Sequence, residues 1–183
     1  MTAKDTNKHQ RRAILIVGLH SSGKSTLSKA FSLTGPFEVF ELGDGVRETA
    51  SQLGKTNLVL VASEILSSGE PTKLVKIALE KSKNLKDTIP IFVGARTIAE
   101  KNHLLSFFPD LITLGLKSSE KTRKERWNSR QLQNSDKWIE REKWEANWQT
   151  STLVNESHAI LNSTDSIPSL CLAISAEIEK LWS

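Results

Sequence analysis

The stretch Gly18-Leu-His-Ser-Ser-Gly-Lys-Ser-Thr26 satisfies the pattern G-x-x-x-x-G-K-[ST] at every fixed position. It follows an apolar run over residues 13–17, which is typical of a strand buried on both faces, and it opens a helical pattern over residues 25–32. Glycine at two positions lets successive backbone N–H groups point toward one anion, and the positive end of the helix adds to the attraction. The stretch therefore predicts a phosphate-binding loop between a buried strand and a helix.

This loop is suited to the β- and γ-phosphates of a nucleoside triphosphate. Lys24 is expected to reach both phosphates, and the Ser25 hydroxyl group is expected to bind Mg²⁺. The side chain of His20 is expected to face outward, near the acceptor. The loop residues that we expect to bind the triphosphate are Gly18, His20, Ser21, Ser22, Gly23, Lys24, Ser25 and Thr26.

Strand and helix patterns alternate along the chain, which predicts an α/β fold with a parallel sheet. No linker divides the sequence, so we expect a single domain over residues 1–183, with a basic tail at 1–12 and a helical lid at about 118–150. Strands are predicted at residues 13–17, 37–42, 90–93, 111–116 and 157–161. Helices are predicted at residues 25–32, 46–53, 58–67, 74–83, 98–107, 120–148 with a break near 134–135, and 167–181.

Composition and charge narrow the classes of protein. The 25 basic and 21 acidic side chains give a net charge of +4, which favours phosphorylated ligands and supports nucleic acid only weakly, through the basic tail. The single cysteine, Cys171, fits a reducing compartment, and we expect a cytoplasmic protein. No apolar run approaches the roughly 18 residues of a membrane span, so no membrane partner is expected. Nothing in the sequence indicates the oligomeric state.

Two large classes of phosphate-loop protein are disfavoured by missing motifs. A signalling GTPase needs Asp-x-x-Gly and Asn-Lys-x-Asp, and the nearest stretch to the second motif, Asn84-Leu-Lys-Asp87, has Leu in place of Lys. A motor-type or ABC-type ATPase needs an apolar strand that ends in Asp, whereas the third apolar strand here ends in Val93-Gly94. A small phosphotransferase needs neither motif. It needs an acid beside the acceptor and an arginine-rich lid.

Asp44 is the candidate acid, because it directly follows the second predicted strand. Ligands bind outside the carboxyl ends of parallel strands, so we expect Asp44 to face the loop. There it would hold Mg²⁺ through water or accept a proton from the acceptor. The alternative interpretation is a plain turn residue between Gly43 and Gly45.

Arginines at two places complete the predicted site. Arg47 and Arg96 follow the second and third strands and are expected to bind the acceptor, since guanidinium groups bind phosphate in a bidentate manner. Spacings of three and four place the lid residues Arg123, Arg126 and Arg130 on one helical face. We expect Arg123 to bind the nucleotide, and Arg126 and Arg130 to act on the transferred phosphate together with Lys24 and Asp44. A solvated charged face is the alternative for this stripe.

Four tryptophans lie in the predicted lid region. The side chains of Trp127, Trp138, Trp144 and Trp148 are expected to pack within the lid. The alternative is that one of them forms a platform for a base.

Further segments resemble the nucleoside monophosphate kinase group of P-loop kinases, and most closely the dephospho-CoA kinase-like proteins regarded as predicted nucleotide kinases. These are Gly43-Asp-Gly-Val-Arg-Glu-Thr-Ala50, Gly94-Ala-Arg-Thr-Ile-Ala-Glu100, Phe107-Phe-Pro-Asp110, the lid run at 120–130 with Glu140-Arg141-Glu142, and Ser157-His-Ala-Ile-Leu-Asn162. The resemblance implies the three-layer P-loop NTPase fold, with a five-stranded parallel sheet flanked by helices and a helical lid.

The resemblance also implies a function: phosphoryl transfer from ATP, with Mg²⁺, to a small phosphorylated or nucleotide-like acceptor. It places Asn162 near the adenine. The family usually has Asp where this chain has Val93, which leaves Ser25 and Asp44 to hold Mg²⁺. That departure supports a second hypothesis, a nucleotide-binding regulatory protein that has lost efficient catalysis. A kinase of nucleic-acid ends or modified bases is a third, favoured by the basic tail.

Overall fold

A computed structural model describes residues 12–129 and 135–183, and within this part of the chain it contains one five-stranded sheet. The strands are β1 (Arg12–Val17), β2 (Phe37–Glu41), β3 (Ile89–Val93), β4 (Asp110–Lys117) and β5 (Ala159–Asn162). They lie in the order β2-β3-β1-β4-β5, and every neighbouring pair is parallel. The predicted five-stranded parallel sheet is confirmed.

Helices cover both faces of this sheet. They are α1 (Lys24–Ser32), α2 (Leu42–Gln52), α3 (Leu58–Ser67), α4 (Lys73–Ser82), α5 (Ile98–Phe107), α6 (Glu120–Ser129), α7 (Ser135–Ala146), α8 (Thr150–Asn155) and α9 (Ile167–Trp182). One apolar core lies between the sheet and α2, α3, α4, α5 and α8, and the other lies between the sheet and α1 and α9. The predicted three-layer α/β arrangement is thus confirmed.

The central strand β1 positions the phosphate loop. Its side chains alternate between the two cores, with Leu15 on the α2 side and Ile14 and Ile16 on the α1 side, and each is at most 1% exposed. A strand buried on both faces has no freedom to slip in register. The chain therefore leaves β1 at a fixed point on the carboxyl edge of the sheet, where the loop begins.

Helix α2 begins earlier than the sequence indicates. The prediction placed Gly43-Asp44-Gly45 in a turn before a helix at residue 46, but the helix starts at Leu42, directly after the extended residue Glu41. A Cβ at Gly45 would lie 3.1 Å from Leu74 Cδ2, so glycine lets α4 pack closely against this first turn. Asp44 suits the positive end of the helix. Gly45 therefore serves helix packing, and no loop follows β2.

One other helix differs from the sequence-based expectations. The short helix α8 was not predicted, although it buries Leu153 and Val154 against the sheet. The predicted break in the lid near residues 134–135 falls partly on residues 130–134, which lie outside the described residues. Arg130 and nearly all of the basic tail, including Lys4, Lys8 and Arg11, lie outside the described residues.

No helix among residues 12–129 and 135–183 combines the length and apolar character needed to cross a bilayer.

The packing of α9 gives a direct test of the fold. Leu170 is 3% exposed beneath this helix and Leu172 is 73% exposed on its outer face. We expect Leu170→Ala to lower the free energy of unfolding by about 2–5 kcal/mol, because it leaves a cavity against the sheet. The matched Leu172→Ala should change it by less than about 0.5 kcal/mol. Urea denaturation compares the two, and equal losses would contradict the packing of α9.

Candidate functional site

The phosphate loop has the backbone geometry that anion binding requires. Gly23 precedes α1 at a φ of 102°, a left-handed conformation that favours glycine, and Ser21 also adopts a positive φ of 56°. A Cβ at Gly18 would lie 2.7 Å from the carbonyl oxygen of Leu116 and 2.8 Å from Ser22 Oγ, so only glycine fits there. The two fixed glycines are thus needed for close approach and for the turn.

Lys24 lies folded over its own loop. Its ammonium group donates to the carbonyl oxygens of Gly18, at 2.7 Å, and Leu19, at 2.8 Å. Burial, with the nearby positive charge of Arg96 as a second cause, lowers the pKa of Lys24 to about 7. An anion placed in the loop would favour the charged form of this lysine.

A cavity of about 330 Å³ opens in front of the loop at the carboxyl edge of the sheet. Its walls include residues 20, 21 and 23–26 of the loop, the ends of β2 and β3, and parts of α2, α3 and α7. The arginines that line it are Arg47 from α2, Arg96 after β3 and Arg141 from α7. The structure therefore brings together Lys24, Ser25, Arg47 and Arg96, as the sequence predicted, and it places Arg141 of the resembling segment 140–142 at the same cavity.

Glu41, rather than Asp44, is the acid of this cavity. Asp44 lies in the first turn of α2 and forms a close ion pair with Arg47, but it does not line the cavity; it lines a surface hollow that Glu41 also borders. Glu41 is the last residue of β2 and lines the cavity with its side chain 18% exposed, 3.7 Å from Arg47. Glu41 and Val93 are register partners in the sheet, so the acid is on the neighbouring strand at the same level. Its position at a strand end is a sequence signal that could have identified it.

Arg96 is held by a carboxylate from the lid. Its guanidinium group forms a close ion pair with Glu145, which is 3% exposed, and lies 5.3 Å from the centre of the Trp148 ring. The other oxygen of Glu145 accepts from the backbone N–H of His20, at 2.8 Å. Burial by itself would raise the pKa of Glu145, but the positive charges of Arg96 and Lys24 outweigh it and hold the pKa below its ordinary value.

Glu100 fixes the backbone that carries Arg96. This carboxylate is fully buried and accepts from the backbone N–H groups of Arg96, at 2.7 Å, and Thr97, at 3.0 Å. Thr97 caps α5 in return, which completes a capping box. The sequence motif Thr-x-x-Glu at residues 97–100 signals this arrangement, and it sets the direction in which Arg96 leaves the strand.

His20 is buried under the lid, contrary to the predicted outward orientation. Its side chain is 4% exposed and packs against the rings of Trp127 and Trp138, at 5.4 and 4.4 Å. Those two tryptophans are themselves buried, which confirms packing roles for them. His20 Nε2 forms a close hydrogen bond with Glu142, while Nδ1 has no partner among the described residues. Burial lowers the pKa of His20 to about 4, so the ring is neutral.

Arg123 joins the two lid helices. Its guanidinium group donates to both oxygens of Glu142, at 2.6 and 2.9 Å, and it lies over the ring of Trp138. The side chain is buried and does not line the cavity. The structure therefore does not place Arg123 where a nucleotide phosphate would lie. The bidentate bond between α6 and α7 is the reason, and a sequence with arginine and glutamate in both helices cannot specify that pairing.

Arg126 lies on the other side of the loop, away from Arg96. It donates to the carbonyl oxygens of Ser22, at 2.8 Å, and Ser163, at 2.7 Å, and it lines a second cavity of about 270 Å³ with Gly23 and Thr26. Asn162, which was predicted to lie near the adenine, directly precedes Ser163 in the chain but does not line this second cavity. Its side-chain oxygen accepts from the backbone N–H of Thr164, at 3.2 Å, and so shapes the turn.

The oxygen ligands at the cavity suit Mg²⁺ held jointly with phosphates. Among residues 12–129 and 135–183, no three His, Cys, Asp or Glu side chains form a cluster that would hold a metal by itself. Ser25 and Glu41 both line the cavity beside the loop. One carboxylate and one hydroxyl group are a typical protein contribution to Mg²⁺ when phosphates and water supply the other ligands.

Comparison with known proteins finds no matching family model and no matching curated protein. Solved structures do match. A gluconokinase from Sinorhizobium meliloti 1021 is 15% identical and has a TM-score of 0.61, with 94% of each chain covered. TT1252 from Thermus thermophilus is 20% identical, with a TM-score of 0.63 and 94% of this chain and 98% of its own covered. A shikimate kinase from Acinetobacter baumannii in complex with shikimate is 14% identical, with a TM-score of 0.61 and coverages of 96% and 97%. These likenesses show a P-loop kinase-like fold.

The neutral state of His20 predicts that the folded protein loses stability at acidic pH. Its pKa falls from an ordinary 6.5 to about 4 in the folded protein, so between these values the unfolded chain binds the extra proton. Stability contributed by the neutral ring is therefore lost as the pH falls through this window. Between about pH 7 and pH 5, the wild type should lose about 2 kcal/mol more of its free energy of unfolding than His20→Gln.

Denaturant unfolding at the two pH values measures this difference. His103→Gln is the control, because His103 lies on α5 outside the cavity, and it should lose stability as the wild type does. Equal losses in the wild type and His20→Gln would mean that His20 takes up its proton in the folded state.

Proposed function

We propose that the protein is a kinase that transfers the γ-phosphoryl group of ATP, with Mg²⁺, to a small anionic acceptor. The observation that carries this proposal is the convergence of Lys24, Arg96 and Glu41 on one cavity in front of the phosphate loop. Phosphoryl transfer depends mainly on positioning and on stabilising negative charge, and these groups supply both. The kinase names of the structural neighbours are consistent with it.

The donor half of the site rests on the loop. The hydrogen bond from the His20 N–H to the carboxylate of Glu145 supports anion binding here, since a phosphate oxygen accepts such a bond in the same way. Lys24 would extend from its own loop toward the β- and γ-phosphates. Arg126 holds the loop from its other side, through Ser22, and we propose that it acts from there on the donor.

Ser25 would bind Mg²⁺ directly, and Glu41 would hold the ion through water, which leaves the Glu41 carboxylate able to accept a proton. The ion would neutralise charge on the donor phosphates and align them. Because Glu41 is also within 3.7 Å of Arg47, its carboxylate lies between the donor side and the acceptor side of the cavity. We propose that this residue takes the role that the sequence suggested for Asp44.

The acceptor half combines charge with an apolar wall. Arg47, Arg96 and Arg141 lie toward one cavity, which suits a phosphate or carboxylate group. The opposing wall is formed by Val46, Leu58, Ala62, Leu66 and Leu74. We therefore propose an acceptor with an anionic group and a less polar body, either phosphorylated or nucleotide-like. The family resemblance of residues 43–50 and 94–100 supports the nucleotide-like choice.

The proposed step moves one phosphoryl group. An oxygen of the acceptor attacks the γ-phosphorus, the bond from that phosphorus to the β–γ bridging oxygen breaks, and ADP leaves with the bond's electrons. The acceptor oxygen, if a hydroxyl group, passes its proton to the carboxylate of Glu41. Arg96 and Arg141 stabilise the charge on the transferred group.

A nucleotide-binding regulatory protein is the second candidate. It is favoured by Val93, where the resembling family has an acid, and by the carboxylate of Glu145 in the phosphate loop. It differs from the kinase in one measurable respect. ATP would raise the melting temperature, but no acceptor would yield ADP.

An ADP-release assay over nucleoside monophosphates, dephospho-CoA and small hydroxylated acids tests the kinase. Lys24→Ala should lower any turnover by at least about a hundredfold, because it removes the ammonium group that faces the transferred charge. Lys73→Ala is the control, since Lys73 begins α4 and does not line the cavity. Turnover that survives Lys24→Ala would point to a contaminating enzyme and overturn the proposal.

Two matched substitutions test whether Glu41 or Asp44 is the acid of the site. Glu41→Gln should lower kcat by at least about a hundredfold, because it removes the carboxylate that faces the loop. Asp44→Asn should lower kcat by less than about fivefold, because Asp44 does not line the cavity and its ion pair with Arg47 is exposed and therefore weak. Kinetics with the acceptor found above measures both. The reverse order of effects would restore Asp44 as the acid.

A further inference from the structure

The most unusual feature of the site is a buried glutamate in the position of a ligand. The side chain of Glu145 crosses from α7 to the phosphate loop and is almost fully buried. One oxygen accepts from the His20 N–H and the other binds Arg96. A carboxylate buried in this way between a backbone donor and a guanidinium group resembles a bound anion.

We propose that Glu145 is a built-in competitor for the donor phosphates, and that its displacement releases Arg96 to the acceptor. The proposal rests on the proposed function in one respect, that a triphosphate enters the loop. A phosphate oxygen and the Glu145 carboxylate would accept a hydrogen bond from the same donor, the N–H group of His20. Two anions bound to one donor would also repel each other strongly. Both cannot occupy the loop together.

The state of Lys24 agrees with this competition. With Glu145 present, the Lys24 ammonium group donates to Gly18 and Leu19 of its own loop. The negative charge of Glu145 favours the charged form of this lysine, against the larger effect of burial. A triphosphate that displaces the carboxylate brings more negative charge than it removes, so it favours the Lys24 ammonium group further.

Arg96 would couple the binding of the donor to the binding of the acceptor. Its guanidinium group is 14% exposed and bound to Glu145, and its backbone is fixed by Glu100. When Glu145 leaves, Arg96 stays in place at the end of β3 and needs another anion, because an unpaired buried charge is costly. The acceptor supplies it. We therefore expect the acceptor subsite to gain affinity only after the donor binds, which makes Glu145 a positioning residue for ordered binding.

Calorimetry with three probes tests the competition without an acceptor. In Glu145→Gln, which keeps the shape and removes the charge, inorganic pyrophosphate and ATP should bind at least about tenfold tighter than in the wild type. Adenosine should bind equally in both, because it lacks the phosphates that compete. The matched control is Glu140→Gln, an exposed residue of the same helix, which should leave all three affinities unchanged.

Each other outcome has a defined meaning. Unchanged or weaker pyrophosphate binding by a folded Glu145→Gln protein would overturn the inference, and so would an equal gain for adenosine, which indicates a general structural change. Thermal unfolding establishes that the variant is folded. Failure of the wild type and of Glu145→Gln to bind ATP at all would instead overturn the proposed function, so the two failures are distinguishable.

Sulfate serves as a probe for the release of Arg96. With ADP saturating the loop, Arg96→Ala should weaken sulfate binding at least about fivefold, because Arg96 is then available to the cavity. Without ADP the same substitution should not weaken it, since Glu145 holds the guanidinium group. An equal loss with and without ADP would contradict the coupling between the two subsites.

Discussion

The backbone of the phosphate loop is the constraint on which the rest of the site depends. The buried strand β1 ends at a fixed point, and there is no room for a Cβ at Gly18 beside the carbonyl oxygen of Leu116. The His20 N–H group needs an acceptor, and Lys24 adds positive charge nearby. The loop therefore favours an anion, and in this structure the carboxylate of Glu145 takes that place.

The lid is arranged by the same requirement. Two glutamates of α7 contact the loop residue His20, and each has an arginine partner: Glu142 with Arg123 in α6, and Glu145 with Arg96 after β3. Buried ion pairs contribute little net stability, but removing one partner alone is strongly destabilising. Glu145 can therefore leave only where other anions take its place, the donor phosphate at the His20 N–H group and the acceptor at Arg96. Glu142 stays with Arg123 and His20.

The sequence predicted the parts of the molecule that are set locally. The apolar run over residues 13–17, the glycines of the loop and the alternation of strands and helices specify the sheet and the place of the site. It did not predict which lid side chains would face the loop. Arg123 and Arg126 share a helical face by spacing, yet one binds Glu142 and the other binds the backbone near Ser163. The partner of each arginine depends on how α6 and α7 pack together. The spacing of residues within one helix carries no information about that packing.

The position of Glu41 bears on the proposed role of this residue as the acid of the site. In a parallel sheet, register partners point to the same face, and Glu41 is the register partner of Val93. Val93 packs in the core beneath α1, and Glu41 lies 3.9 Å from Lys29 of that helix, so both side chains are on the α1 side. Neighbouring strands are about 4.8 Å apart, and glutamate extends one methylene further than aspartate. A carboxylate from β2 can therefore reach the region that an aspartate at the end of β3 would serve, and Val93 is compatible with a working phosphotransfer site.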